Sequence, residues 1–208
     1  MYQSQVVIHE TKIVSADGTA LGVFGLALIT FVASSQKLGL TTGSVYLIPW
    51  ALFLGSIAQI WGAAIDFRKN NYFGAIVLGA FGLFWVAVTM HWAIQNGIFG
   101  TVPANADLKQ FGFACLGYFV LSVFFTVAAI EVNKVFGIIL VLVNVLLLAL
   151  GLSILGIFPA LLSSVAAWSE LLIAVFGFYA SGAIFLNSFF GRILLPLGAP
   201  LDLIRKGV

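Results

Sequence analysis

Four side chains in this sequence carry chemistry that a lipid-facing segment rarely keeps. Gln59 lies deep in one apolar run, Asn144 near the middle of another, His91 near the end of a third and Glu170 inside a fourth. A polar group inside hydrocarbon is costly and ordinarily turns toward a bundle interior or a water path. Gln59 and Asn144 therefore either tie two helices together by a hydrogen bond or line a path. His91 and Glu170, near one membrane face, read either as a proton-accepting or gating couple or as two separate, solvated interfacial side chains. The hydroxyls of Thr30, Thr89, Ser122, Thr126 and Ser181 can satisfy themselves on the preceding helical turn.

What is missing narrows the chemistry further. No Lys or Arg falls in the central part of an apolar run, so an anion at the midplane would have to be handled by dipoles. Hydroxyls, carboxamides and the free N–H groups of a helix start are the usable ones; otherwise the solute passes as its neutral, protonated acid. There is no nucleophile elbow, no H-E-x-x-H, and no Gly-rich loop followed by Lys-Ser/Thr, which speaks against an enzyme and against a nucleotide-driven pump. Cys115 is the single cysteine, which excludes an intrachain disulfide or a cysteine-rich metal site. With His9 in a polar tail, two histidines cannot hold a haem from facing helices. No cofactor and no metal is expected. Asp66, Glu131 and Asp202 stand at membrane edges beside basic residues and read as solvated interface pairs.

The elements that must position these groups follow from composition and length. Of 208 residues, 62% are apolar and only 8% charged, with mean hydropathy +1.16. A water-soluble surface cannot be built from that, so the outer face meets lipid. The net charge of +2 and the scattered Lys and Arg leave no nucleic-acid footprint. Six apolar segments, at 19–35, 45–65, 73–94, 111–130, 135–155 and 165–189, each approach the roughly 20 residues a bilayer needs. They are continuously apolar rather than alternating, which excludes a barrel, and the short links between them make neighbours antiparallel. The fold class expected is an all-α, polytopic membrane bundle of six transmembrane helices.

Lys12, Arg68, Lys69, Lys134, Arg192, Arg205 and Lys206 fall on one side of that topology, against Lys37 and Lys109 on the other. The positive-inside rule then puts both termini in the cytoplasm. Residues 1–17 lack the hydrophobic region of a cleavable signal and read as a cytoplasmic tail. Residues 18–192 form the transmembrane domain and 193–208 a second cytoplasmic tail.

Glycines recur within the apolar runs, as at Gly22 with Gly25, Gly55 with Gly62, Gly79 with Gly82, and Gly177 with Gly182. They imply close helix packing or, alternatively, a pore lined by bare backbone. Four asparagines open an Asn-x-x-Phe-Gly pattern, at Asn70, Asn96, Asn133 and Asn187, each at a membrane edge. Asn suits a left-handed helix end and Phe the interface, so the pattern reads as punctuation rather than a site.

Three stretches together resemble the acetate uptake transporter family, of the succinate–acetate permease type. The first is Gly55 to Trp85, GSIAQIWGAAIDFRKNNYFGAIVLGAFGLFW, and the second is Phe190 to Gly198, FGRILLPLG, preceded by Leu186-Asn187. The third is Asp17 to Gly25, DGTALGVFG, standing where the family carries Asn-Pro-Ala-Pro-Leu-Gly-Leu. The likeness spans residues 17 to 198. It departs in the signature, where Asp17 replaces Asn and Gly18 and Ala20 replace the prolines.

This resemblance implies a six-helix protomer in a homo-oligomeric ring of six, each with its own path for acetate and similar small monocarboxylates. By position, the family's apolar constriction falls on Leu26, Phe81 and Val141, and the path-lining positions on Asp17, Thr19, Leu21, Gly22, Gln59 and Asn187. A first helix beginning at Gly18-Thr19 would aim free N–H groups at a carboxylate, with the Thr19 hydroxyl as a further donor. Asp17 then either caps that helix or repels an anion, and the cap is the expectation taken. The function expected is a plasma-membrane channel or transporter for acetate and similar small monocarboxylates, driven by the solute's own gradient or accompanied by a proton. A channel for small neutral amides such as urea, and a non-transporting membrane subunit, are the alternatives.

Overall fold

The computed structural model describes residues 17–204. The expected tail at 1–17 lies, apart from Asp17, outside the described residues, as do Lys12, Arg205 and Lys206. Six helices are long and apolar enough to cross a bilayer: α1 Thr19–Lys37, α2 Leu47–Arg68, α3 Tyr72–Gln95, α4 Lys109–Ala129, α5 Lys134–Ile154 and α6 Pro159–Phe190. Among the described residues there is no strand.

Local chemistry sets the ends. Asp17 Oδ1 accepts from the Thr19 N–H at 2.8 Å, satisfying one of the orphan donors at the start of α1. Asn71 Oδ1 accepts from Gly74 N at the start of α3, and Asn133 Oδ1 from Phe136 N at 2.9 Å at the start of α5. Asn70 adopts φ 56° after α2 and Gly191 φ 61° after α6, both left-handed stops. The last helix begins at Pro159, six residues earlier than its apolar run, because proline at the first helical position is pre-set for a helix and gives up only an N–H that would be orphaned anyway. At 32 residues it is the longest span.

The second helix is not uniformly α. Over Ala51–Ala58 it widens to a π-helix, and the Ser56 hydroxyl follows that spacing by donating to the Ala51 carbonyl at 2.9 Å. Such widened turns are usually found where a helix serves a site. Here the Leu54 carbonyl is thrown against Gly25 of α1, where a side chain would collide with it.

Glycine contacts hold the bundle. A methyl at Gly177 would meet Ala27 Cβ at 2.9 Å, and Gly112 and Gly151 face each other's carbonyls between α4 and α5. Lipid gives no hydrophobic incentive for helices to associate, so close backbone approach supplies the attraction. Gly22 belongs to this set, resting on Leu78 and beside Gly62. The main helix pairs are α1 with α6, α6 with α5, α5 with α4, α2 with α3, and α1 with α2. The backbones of the third and fourth helices stay apart, and aromatic side chains bridge the gap, Phe84 on Tyr118 and His91 on Phe111 among them, with the Tyr118 hydroxyl donating to the Ala80 carbonyl at 3.1 Å. Large apolar side chains such as Phe31, Phe53, Trp61, Leu83, Phe124 and Phe185 face outward.

The start of α1, the α2–α3 and α4–α5 turns and the C-terminal segment gather at one end, called here the Thr19 end. That segment folds back along the bundle. The Leu197 carbonyl accepts from Val135 N, Leu201 N donates to the Ile130 carbonyl, and Glu131 Oε1 accepts from Leu203 N and Ile204 N. Glu131 is therefore a clamp rather than a member of an interface ion pair.

Candidate functional site

Three small cavities run in series between the two halves of the bundle and share walls. The one at the Thr19 end, about 40 Å³, is lined by Thr19, Gln59, Val77, Ile139 and Leu140, among others. It shares Leu26, Phe81 and Val143 with a middle cavity of about 20 Å³. The middle cavity in turn shares Phe84, Trp85, Leu146 and Leu147 with a wider one, about 120 Å³, at the Lys37 end. Its lining is apolar apart from Thr30, whose hydroxyl is turned back onto its own helix, and it has room for about one water molecule. The corridor is therefore narrowest where α1, α3 and α5 meet.

Leu26 and Phe81 together with Val143 form the wall shared by the first and middle cavities. Val141 is 49% exposed and faces away from the corridor beside Ile138 and Leu142. Two residues along a helix turn the side chain by about 200°, so a position chosen from a loosely aligned helix lands on the opposite face. Phe81 is held in place by Phe125 and Tyr118, whose ring centroids lie 6.0 and 6.2 Å away.

Gln59 is fully buried in the corridor wall. Its Nε2 donates to the Gly55 carbonyl at 2.8 Å, and because a carbonyl can only accept, this bond fixes which way the amide points. Oε1 is left without a hydrogen-bond partner in the protein. A buried acceptor without a partner favours a solute or water that donates a hydrogen bond. Asn144, the other mid-span carboxamide, donates to Thr126 Oγ1 at 2.8 Å and joins α5 to α4.

At the Thr19 end the geometry differs from a carboxylate cradle. The Thr19 N–H is bound by Asp17, and its hydroxyl donates to Asp66 at 3.1 Å. Asp66 is fully buried rather than solvated at an interface, and no ion pair satisfies it among the described residues. Two acidic side chains thus occupy the donors expected to hold an anion. Leu21 is 46% exposed on the outer side of α1, away from the corridor. Asn187 is drawn to the C-terminal segment, donating to the Leu195 carbonyl and accepting from Leu194 N and Leu195 N. Asn187 thereby fastens that segment.

His91 and Glu170 are not partners. His91 stacks on Phe111 with ring centroids 4.4 Å apart. Glu170 is buried and pairs with Lys37 at 2.6 Å. Sequence reasoning assigned Lys37 only to the count of loop charges. The available signal was its position at the last turn of α1, where a cation suits the helix dipole and can reach inward.

The decisive comparison is with a family model, the GPR1/FUN34/yaaH family, which matches residues 3–197. The chain belongs to the GPR1/FUN34/yaaH family. Among curated members, the succinate-acetate/proton symporter SatP of Escherichia coli K12 is 26% identical over 185 residues, covering 88% of this chain and 95% of that one. Acetate permease A of Emericella nidulans is 25% identical, covering 77% and 61%. A solved structure of the bacterial acetate channel SatP matches with TM-score 0.80 at 23% identity, over 88% of this chain and 99% of that chain. The six-helix GPR1/FUN34/yaaH fold is thus the one seen here.

Proposed function

We propose that this protein conducts acetate and similar small monocarboxylic acids across the plasma membrane, and that the species crossing the neck is the neutral, protonated acid. One observation carries the reading: the corridor offers a hydrogen-bond acceptor, Gln59 Oε1, on the Thr19 side of an apolar neck and no cation along that stretch. An anion in that neck would lose its hydration without compensation, at a cost far above that of a hydrogen-bonding neutral solute. The names borne by its relatives, acetate permease and succinate-acetate/proton symporter, support the same solute class. Both termini lie in the cytoplasm on this reading, so the Thr19 end faces inward and the Lys37 end outward. The protomers assemble as a homo-oligomeric ring of six, each with its own path. No catalysis on the solute is proposed.

The test is uptake of labelled acetate into liposomes holding the purified protein. Uptake above empty vesicles, larger at acidic than at neutral external pH, is the expected result; uptake equal to empty vesicles at both would end the reading. Because an amide N–H also satisfies Gln59 Oε1, urea is the competitor to include. Strong competition by urea would favour a channel for neutral amides. A non-transporting subunit has no use for a row of adjoining cavities, and this weighs against it.

A further inference from the structure

Lys37 and Glu170 form the single ion pair among the described residues, and it lies in the corridor rather than on the surface. Glu170 is 2% exposed and Lys37 22%. Both line the cavity of about 120 Å³ at the Lys37 end, whose other walls are aromatic and aliphatic. A buried pair contributes little net stability, because desolvating two charges consumes most of their attraction. Its position is better explained by what it meets.

The ammonium of Lys37 has three donors, and Glu170 takes one. Few other ionisable groups face the pair. The fifth helix presents only leucines to the cavity, Leu146, Leu147 and Leu150, and α3 presents Phe84, Trp85, Val88 and Trp92. The fourth helix presents Phe111, with His91 of α3 stacked on it, and carries the buried Cys115. An entering carboxylate therefore finds one cation, one carboxylate and an apolar enclosure.

Resting on the reading of the protein as a conductor of carboxylic acids, we propose that this pair is the entry site, at which Lys37 binds the solute carboxylate and Glu170 protonates it. Lys37 and Glu170 together are neutral. A bound carboxylate adds one surplus negative charge, and two carboxylates around one ammonium in such a cavity are neutralised by one proton from the external water. That proton resides on Glu170 or on the solute. Transfer breaks the Glu170 O–H bond and forms one on the solute carboxylate. The Glu170 carboxylate then returns to Lys37, and the neutral acid, no longer held by charge, enters the neck at Leu26, Phe81 and Val143. One proton accompanies each acid, supplied by the water that delivered it.

The experiment uses the full chain in two preparations. In weakly buffered detergent solution, adding acetate to the wild type takes up protons, while Lys37→Met takes up none and Lys37→Arg restores the uptake. In liposomes at neutral pH, Glu170→Gln lowers maximal acetate flux by about tenfold without raising KM, because the anion still binds but receives no proton, whereas Lys37→Met raises KM by about tenfold, each tenfold corresponding to about 1.4 kcal/mol. The double variant Lys37→Met with Glu170→Gln keeps the pair neutral and passes only acid already protonated in solution. Its uptake falls about tenfold per unit of external pH above the acid's own pKa, more steeply than the wild type. A double variant with the wild-type pH profile, or single variants that leave flux and KM unchanged, would overturn the proposal. Wild-type protein that carries no acetate sinks the transport reading alone, and the site is then judged by the detergent measurement, where an absence of proton uptake overturns it.

Discussion

At the residue scale, the proposed path turns on one acceptor atom, Gln59 Oε1, and on the neck side chains Leu26, Phe81 and Val143. Gln59 Oε1 contributes one hydrogen bond to a donating solute, worth about 0.5–1.5 kcal/mol, so Gln59→Leu should lower acetate flux by up to about tenfold while the purified protein keeps its elution profile. The neck makes a sharper test. Val143→Ala and Phe81→Ala should each raise the largest acid that enters, measured by uptake of a series of lengthening monocarboxylates. Val141→Ala, outward-facing, should leave the size limit where it was. That Leu26 and Phe81 line the middle cavity agrees with their positions in the sequence, Phe81 inside a stretch with recognisable spacing and Leu26 directly after another. Val143 was not legible there, because the middle of the fifth helix carries a single polar residue, Asn144, which could face either a neighbouring helix or the path and so leaves the helix's rotation open.

Helix contact depends on positions that tolerate no side chain. The Leu54 carbonyl stands where a side chain at Gly25 would be, so Gly25→Ala must separate α1 from the π-helical stretch of α2. Overpacking of this kind costs about 1–3 kcal/mol, and the thermal melting temperature in detergent should fall. Gly117 of α4 has nothing within 4 Å of an added methyl, and Gly117→Ala should hold or raise the same temperature, since glycine is the poorer helix former. Helix existence and most boundaries were legible, because a bilayer demands long apolar runs and the Asn and Gly stops mark their ends. The π-helix was not, since nothing in ALFLGSIA distinguishes it from ordinary helix until Gly25 and Trp85 are packed against it.

For the molecule as a whole, the proposed topology, read from six crossings and the distribution of Lys and Arg, has the Thr19 end facing the cytoplasm. Cys115 is fully buried and gives little background labelling. A membrane-impermeant maleimide applied to intact cells should therefore label Thr42→Cys and Asn105→Cys and spare Asn70→Cys; the reverse pattern would invert the topology.

Composition alone determined that this chain lives in lipid, because so few charges cannot solvate its surface, and the length of its apolar runs determined six helices. The spacing of Gly, Asn and Phe carried the family. Tertiary structure decided which of the rare polar groups meet. Glu170 found Lys37, 133 positions away, instead of His91, and Asp66 was drawn inside to Thr19 instead of remaining at the interface. The reason is that hydropathy fixes how deep a side chain lies but not the direction in which it points. The rotation of each helix is set by its contacts with its neighbours, close glycine approaches among them, and a pairing across the bundle exists only once those contacts have formed.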